Sequence, residues 1–260
     1  MRSALTALLV LCLLLAGIQR AASGDNQPTD TPATTPALPD ADPVLEYVWL
    51  STGDGFSDTK LTDLAADWNL RVDAGGYEII TANILMPQFP TDDFDLVWVL
   101  LWSSQTARDA GWDHWNAHQA EDWQASVAGV LQSPPTGVYS FSPHWGYTSP
   151  AFKLKAGDSF FSQFHFCGWR DGNDASQQAA FQVRYNEWAS NGEPSGTYGY
   201  LTLEPHSALP SIDLVWLDIF GSDATRQAGA ARWQDSELQS VWNTMVSCDS
   251  YSFSSTKIRS

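Results

Sequence analysis

The chain has 260 residues, 43% of them hydrophobic, with 13 tryptophans, enough apolar mass for one large core or two small ones. Lysine and arginine number 13 against 30 aspartates and glutamates, a net charge of −17. Such a surface repels phosphate backbones and anionic lipid headgroups, which argues against nucleic-acid and membrane-surface partners.

The first stretch has the grammar of a secretory signal. Arg2 supplies a positive start, and Ala4 to Ile18 is an apolar core too short to span a bilayer. Ala21 and Ser23 fit a small-x-small cleavage rule, so residues 1–23 are expected to be removed. Leu9-Val10-Leu11 before Cys12 is no lipobox. The expected product is periplasmic or secreted, with no membrane association after cleavage. Residues 24–43 carry five prolines among Thr, Ala and Asp and cannot build a core; they read as a disordered tether. Cleavage leaves Cys167 and Cys248, which an oxidising compartment would pair; the alternative is two buried thiols.

From Pro43 the pattern is globular. Glu46 to Ser51 is β-type, and Asp54-Gly55 is a turn. Ser57 or Asp58 can cap a helix from Lys60 to about Asp73, with Leu61, Leu64, Ala65, Trp68 and Val72 on one face. Gly75-Gly76 ends it. Tyr77 to Leu85 and Phe94 to Trp102 read as strands. Trp112, Trp115, Trp123, Val127 and Val130 recur at helical spacing and predict one long helix over 106–131, broken by Pro134-Pro135. Gly137 to Ser142 is a fourth strand. The order then repeats: a strand over 160–167, a helix over 175–189 capped by Asp174, strands over 197–203 and 212–220, a helix over 224–246 and a last strand over 251–254.

Identities follow the same register. Asp95-Leu96-Val97-Trp98 and Asp213-Leu214-Val215-Trp216 are identical and 118 residues apart (213 − 95). At that offset Pro87 meets Pro205, Arg108 meets Arg226, and Trp115 meets Trp233; at 117 (186 − 69) Asn69 meets Asn186, and Gly75 meets Gly192. The chain therefore reads as an internal repeat. Each unit runs strand, helix, strand, strand, helix, strand, whose compact solution is the ferredoxin-like split βαβ sheet of order 4-1-3-2 with both helices on one face. The apolar run Leu96–Trp102 would be its central strand, covered by helices on one side and by the other unit on the second.

On this element order and repeat, residues 44–260 resemble the dimeric α+β barrel superfamily fused in tandem, with 44–150 as one unit and 151–260 as the other. The fold class expected is α+β, two ferredoxin-like βαββαβ units packed face to face as a pseudo-dimeric barrel, with a monomer serving as pseudo-dimer. The superfamily includes cofactor-independent oxygenases of polycyclic aromatics, stress-responsive barrel proteins, haem-dependent chlorite dismutases and lyases of muconolactone type. In such a sheet strand 4 lies beside strand 1, which brings the end of the strand holding Cys167 near Cys248.

The resemblance implies a pocket between helices and sheet, and the oxygenases of the superfamily place Asn and Trp around it. Asn69 and Asn186 are accordingly candidate catalytic residues; the alternative is an amide bonded to backbone at the helix edge. Trp68, Trp98 and Trp216 would line the pocket. Arg108 and Arg226 sit in a first helical turn, against the helix dipole, so each either binds an anionic ligand or pairs with an acid. Asp218 interrupts the second central strand where the first unit has Leu100. It is a candidate acid or base if buried, and unremarkable if that face meets water. His114, His118 and Glu121 share a stripe at metal-clasping spacing, but Arg232 replaces His114 in the second unit and exposure explains the stripe as well. His165 reads as a packed core residue. A haem would need an axial His165 or His144, and nothing else in the sequence supports one. No P-loop, dinucleotide fingerprint, nucleophile elbow or zinc cysteine cluster is present, so no cofactor or metal is expected. Two functions remain: an exported binder of a small apolar or aromatic ligand acting as a cofactor-independent oxygenase or isomerase, or a non-catalytic secreted binding or stress-related module whose tryptophans are structural.

Overall fold

The computed structural model describes residues 42–133, 137–192 and 196–260. The signal segment, all but the end of the tether, and the Pro134-Pro135 break lie outside them. The first half contains β1 (Val44–Thr52), α1 (Asp58–Gly75), β2 (Ile79–Pro87), β3 (Leu96–Trp102), α2 (Gln105–His118), α3 (Ala120–Val127), the two-residue β4 (Leu131–Gln132) and β5 (Val138–Thr148). The second contains β6 (Ser159–Trp169), α4 (Ala175–Asn191), β7 (Tyr198–Pro205), β8 (Leu214–Phe220), α5 (Asp223–Gln234), α6 (Glu237–Met245) and β9 (Val246–Arg259).

Local chemistry sets the boundaries. Ser57 caps α1 by accepting from the Lys60 N–H, and Gly76 ends it in the left-handed region at φ 65°. Asp174 and Gln177 form a reciprocal capping box on α4, and Ser104 and Ser222 cap α2 and α5. The two long helices expected from tryptophan periodicity are each broken in two. Gln119 leaves helical geometry between α2 and α3, and Gly129 at φ 71° turns the chain so that Leu131–Gln132 pairs with β1. In the second half Ser236 is extended between α5 and α6, and Val246 already belongs to β9. Periodicity carried through both breaks because the second segment of each pair turns its apolar residues onto the same core.

All strand pairings are antiparallel. The first half has the order β5-β1-β3-β2 and the second β9-β6-β8-β7, the same 4-1-3-2 topology twice. The halves are joined by more than face-to-face packing. The long β9 pairs with β2, and the long β5 pairs with β7, so the eight strands close into one hydrogen-bonded barrel without free edges. Side-chain alternation then explains the unbroken apolar runs. Val97, Val99, Val215 and Leu217 point into the barrel, while Leu96, Trp98, Leu100 and Trp102 face the helices of the first half. Leu214, Trp216 and Phe220 face those of the second.

Cys167 and Cys248 form a disulfide between directly paired positions of β6 and β9. Cys248 lies inside its strand rather than before it. The bridge closes a sequence separation of 81. Replacing both cysteines by alanine should cost about 2–5 kcal/mol. A fall in denaturant midpoint with a steeper slope is the expected readout, because the chain without the crosslink unfolds further; an unmoved midpoint would mean the barrel pairing alone holds these strands. Among the described residues no helix is long and apolar enough to cross a membrane.

Candidate functional site

Each half encloses a cavity between its helices and the outer face of the barrel, about 490 Å³ in the second half and about 440 Å³ in the first. Both fall in the size range of small-molecule sites. A third space of about 130 Å³ lies inside the barrel, lined by aromatic and aliphatic side chains.

In the second cavity Asp218 is buried on the helix-facing side of β8, only 8% exposed. The Tyr198 hydroxyl donates to its Oδ1 at 2.8 Å, and the Trp216 indole N–H donates to the same oxygen at 3.1 Å. Tyr185 donates in turn to Tyr198 at 2.6 Å. Oδ2 lies 3.2 Å from His165 Nε2, and His165 Nδ1 lies 2.7 Å from the Ser250 hydroxyl. An ionised carboxylate only accepts, so a neutral His165 carries its proton on Nε2 and accepts from Ser250 at Nδ1. Burial, reinforced by the charge of Asp218, holds the Tyr185 and Tyr198 hydroxyls well above the usual tyrosine range, so both remain donors. A carboxylate offers roughly four acceptor sites. Three on Asp218 are taken, which leaves one on Oδ2 for a ligand O–H or acidic C–H. Trp188, Trp216, Trp233 and Trp242 supply flat apolar walls, and Arg226 and Arg232 add positive charge. The arrangement can hold an aromatic ring and receive a proton from it.

The first half is built differently. Its buried acid is Glu46 on β1, which the sequence reading passed over. Glu46 is fully buried and accepts from the indole N–H groups of Trp102 and Trp112 at 3.0 and 2.9 Å, and from Arg108 Nε at 2.6 Å. All its acceptor capacity is spent on protein donors. The cavity beside it is lined mainly by Trp68, Trp98 and other apolar groups, with the neutral polar side chains of Asn116, Gln124 and Ser133 and no charged side chain among the described lining residues.

The structure separates the candidates read from sequence. Asp218, Trp216 and Arg226 meet in one cavity, and Trp68 and Trp98 in the other. Arg108 is the ion-pair partner of Glu46, whereas Arg226 is held by Asp223 at 2.6 Å. Asn69 and Asn186 line neither cavity. Asn69 donates to the Ile258 carbonyl at 2.8 Å, and Asn186 donates to the Gly146 carbonyl at 3.0 Å while accepting from Tyr200. Each ties the first helix of one half to the extended fourth strand of the other through a backbone carbonyl. His114 bonds the Tyr77 hydroxyl, and no cluster of metal-binding type exists among the described residues. His165, read as core, belongs to the Asp218 chain. Its signal was available in the sequence: at the 117 and 118 offsets His165, Tyr185 and Asp218 fall opposite Val48, Trp68 and Leu100, three exchanges toward polarity in one half.

No protein-family model and no curated protein sequence matches the chain. Solved structures do. A candidate monooxygenase from Lactobacillus acidophilus NCFM aligns over 84% of this chain and 94% of its own at 14% identity and a TM-score of 0.52. An anthrone oxidase-like protein aligns over 85% and 92% at 12% identity and 0.53. A candidate chlorite dismutase aligns over 84% and 96% at 11% identity and 0.52. The chain has the dimeric α+β barrel fold. At these identities the likeness concerns the fold alone.

The residues present do not suit the haem for which His165 or His144 was the axial candidate. His165 has both ring nitrogens engaged, one of them by a carboxylate. His144 faces Glu204 at 3.5 Å, is 60% exposed at its side chain, and lines neither cavity.

Proposed function

We propose that this α+β barrel protein binds a small enolisable or phenolic aromatic compound in its second-half cavity and moves a proton from it, as an isomerase or cofactor-independent oxygenase does. The observation that carries this reading is the open acceptor site on buried Asp218, facing a space of about 490 Å³ with tryptophan walls. Asp218 is the base. His165 steadies it and connects it to Ser250 at the strand surface. Arg232, which has no acid partner among the described residues, favours the anion that proton removal leaves on the ring. The anthrone oxidase-like and monooxygenase-named neighbours are compatible with chemistry on such an anion. Export of a monomer after loss of residues 1–23, and descent of the two halves from one duplicated unit of about residues 44–150 and 151–260, belong to the same proposal; the disulfide fits an oxidising compartment.

Anthrone, a tricyclic enolisable ketone, is a suitable probe. Incubated anaerobically in D₂O with the protein, its methylene should exchange deuterium faster than in buffer. In air it should yield anthraquinone and water with one O₂ consumed if the protein is an oxygenase, and no net oxidation if it is an isomerase. Neither saturable binding nor exchange above the buffer rate would leave the non-catalytic binding module as the better reading.

A further inference from the structure

The first-half cavity is the apolar image of the second. Trp98 pairs with Val48 as Trp216 pairs with His165, and Leu100 pairs with Glu46 as Asp218 pairs with Gln163. Ile79 pairs with Trp102 as Tyr198 pairs with Phe220. Trp68 and Tyr185 each precede the asparagine latch of their helix. So His165, Tyr185, Tyr198 and Asp218 are answered by Val48, Trp68, Ile79 and Leu100, and all four replacements line the 440 Å³ cavity. The tryptophan itself is the same in both halves. Trp216 gives its indole N–H to Asp218; Trp98, on the same face, has Leu100 at that place. Trp98 is 4% exposed, and its Nε1 is buried without a hydrogen-bond partner. The nearby acid does not serve, because Glu46 is occupied by Trp102, Trp112 and Arg108. Buried donors are rarely left open, since an unmade bond forfeits the group's hydration with no return.

We propose that the first-half cavity is a second, non-reacting site for a neutral planar aromatic carbonyl compound, whose oxygen accepts from Trp98 Nε1. The buried polar atom left unpartnered there is a donor, so the ligand must present an acceptor to it; Asn116, Gln124 and Ser133, which also line the cavity, are neutral. The wall carries no charged side chain among the described residues, so the ligand is neutral. Trp68 and Trp123 pack edge-on against Trp98 at centroid distances of 5.4 and 6.1 Å, which fixes the indole at the wall of the 440 Å³ cavity and gives a flat ring aromatic faces to lie against. No base lines this space, so binding there is not followed by proton removal. The proposal is independent of the chemistry assigned to Asp218.

The test uses 1-tetralone and tetralin, one bicyclic skeleton with and without the carbonyl, titrated into the ¹⁵N-labelled full chain. The indole resonance missing from Trp98→Phe identifies Trp98. It should move downfield with 1-tetralone and not with tetralin. Trp98→Phe should weaken 1-tetralone at this site roughly five- to tenfold, the worth of one neutral hydrogen bond, and leave tetralin unchanged. Asp218→Asn should leave both ligands' affinities here as they were, which separates this site from the reactive one. Equal affinity for the two ligands, or an unmoved Trp98 resonance at saturation, overturns the proposal, and that comparison on the unmutated chain needs no folded variant.

Discussion

Glu46→Ala should be the most destabilising single substitution on the helix-facing surface of the first half, at a cost of about 3–5 kcal/mol. Glu46 is fully buried, and four donor contacts converge on it: two indole N–H groups and two guanidinium nitrogens of Arg108. Truncation leaves Trp102 and Trp112 without an acceptor and Arg108, 21% exposed at its side chain, with only the exposed Asp109 at 3.1 Å to balance its charge. Each of these is a known route to a large effect, and here they add at one point. Glu46→Gln should cost less, because one carbonyl oxygen still accepts, but its amide must face donors and cannot satisfy them all. Thermal unfolding would show the alanine variant down by roughly 10 °C for a chain of this size. A loss under about 1 kcal/mol would mean that water reaches the site and replaces the carboxylate. The substitution should not touch ligand binding in the second half, since Glu46 lines neither cavity.

Topology was legible in the sequence because the Asp-Leu-Val-Trp repeat fixed two central strands at once. Asp95 and Asp213 each sit just before their strand and accept from the backbone at the end of its neighbour, Thr52 and Trp169. Trp98 and Trp216 then face the helices at matching places. Edge closure was not legible. The extra length of β5 and β9 is written in residues such as His144, Thr148, Ser247 and Thr256, which have no apolar rhythm because partner strands satisfy their backbones. The helix breaks at Gln119 and Ser236 were hidden because tryptophan spacing continued across them. At the site, the isolated Asp218 stood out against an apolar strand, whereas what Asn69 and Asn186 would meet was not legible. A polar residue beside a core aromatic on a helix looks the same whether it meets a ligand or a backbone carbonyl, and only Ile258 and Gly146, far away in sequence, decide it. Glu46 was invisible for the opposite reason. At the start of a strand an acid reads as solvent-exposed, and its burial follows from Arg108 and two tryptophans arriving on α2, β3 and their turn.

Asp218→Asn should abolish proton transfer while leaving the barrel folded. General-base removal typically costs about 10²–10⁴ in rate. The amide can be accommodated by the existing partners: its oxygen still accepts from Tyr198 and Trp216, and its N–H₂ faces His165 Nε2. His165 then has to present Nε2 as an acceptor and move its proton to Nδ1, where the Ser250 hydroxyl can accept it. The second amide N–H falls where the carboxylate had its open acceptor site and faces the cavity, so the change in stability should stay within about 1 kcal/mol, in contrast to Glu46→Ala. The same exchange explains why the rate must fall. An amide cannot take the ligand's proton, and the imidazole turned toward it is occupied by the amide N–H. Deuterium uptake by the anthrone methylene, followed anaerobically, reads the step without any oxygen chemistry, and the dissociation constant of anthrone should stay within about threefold because the tryptophan walls are unchanged. Exchange that persists near the wild-type rate in a folded Asp218→Asn chain would remove Asp218 as the base. The aromatic cavity would then be a binding site, and its Tyr185–Tyr198–Asp218–His165 chain a device for satisfying buried polar groups.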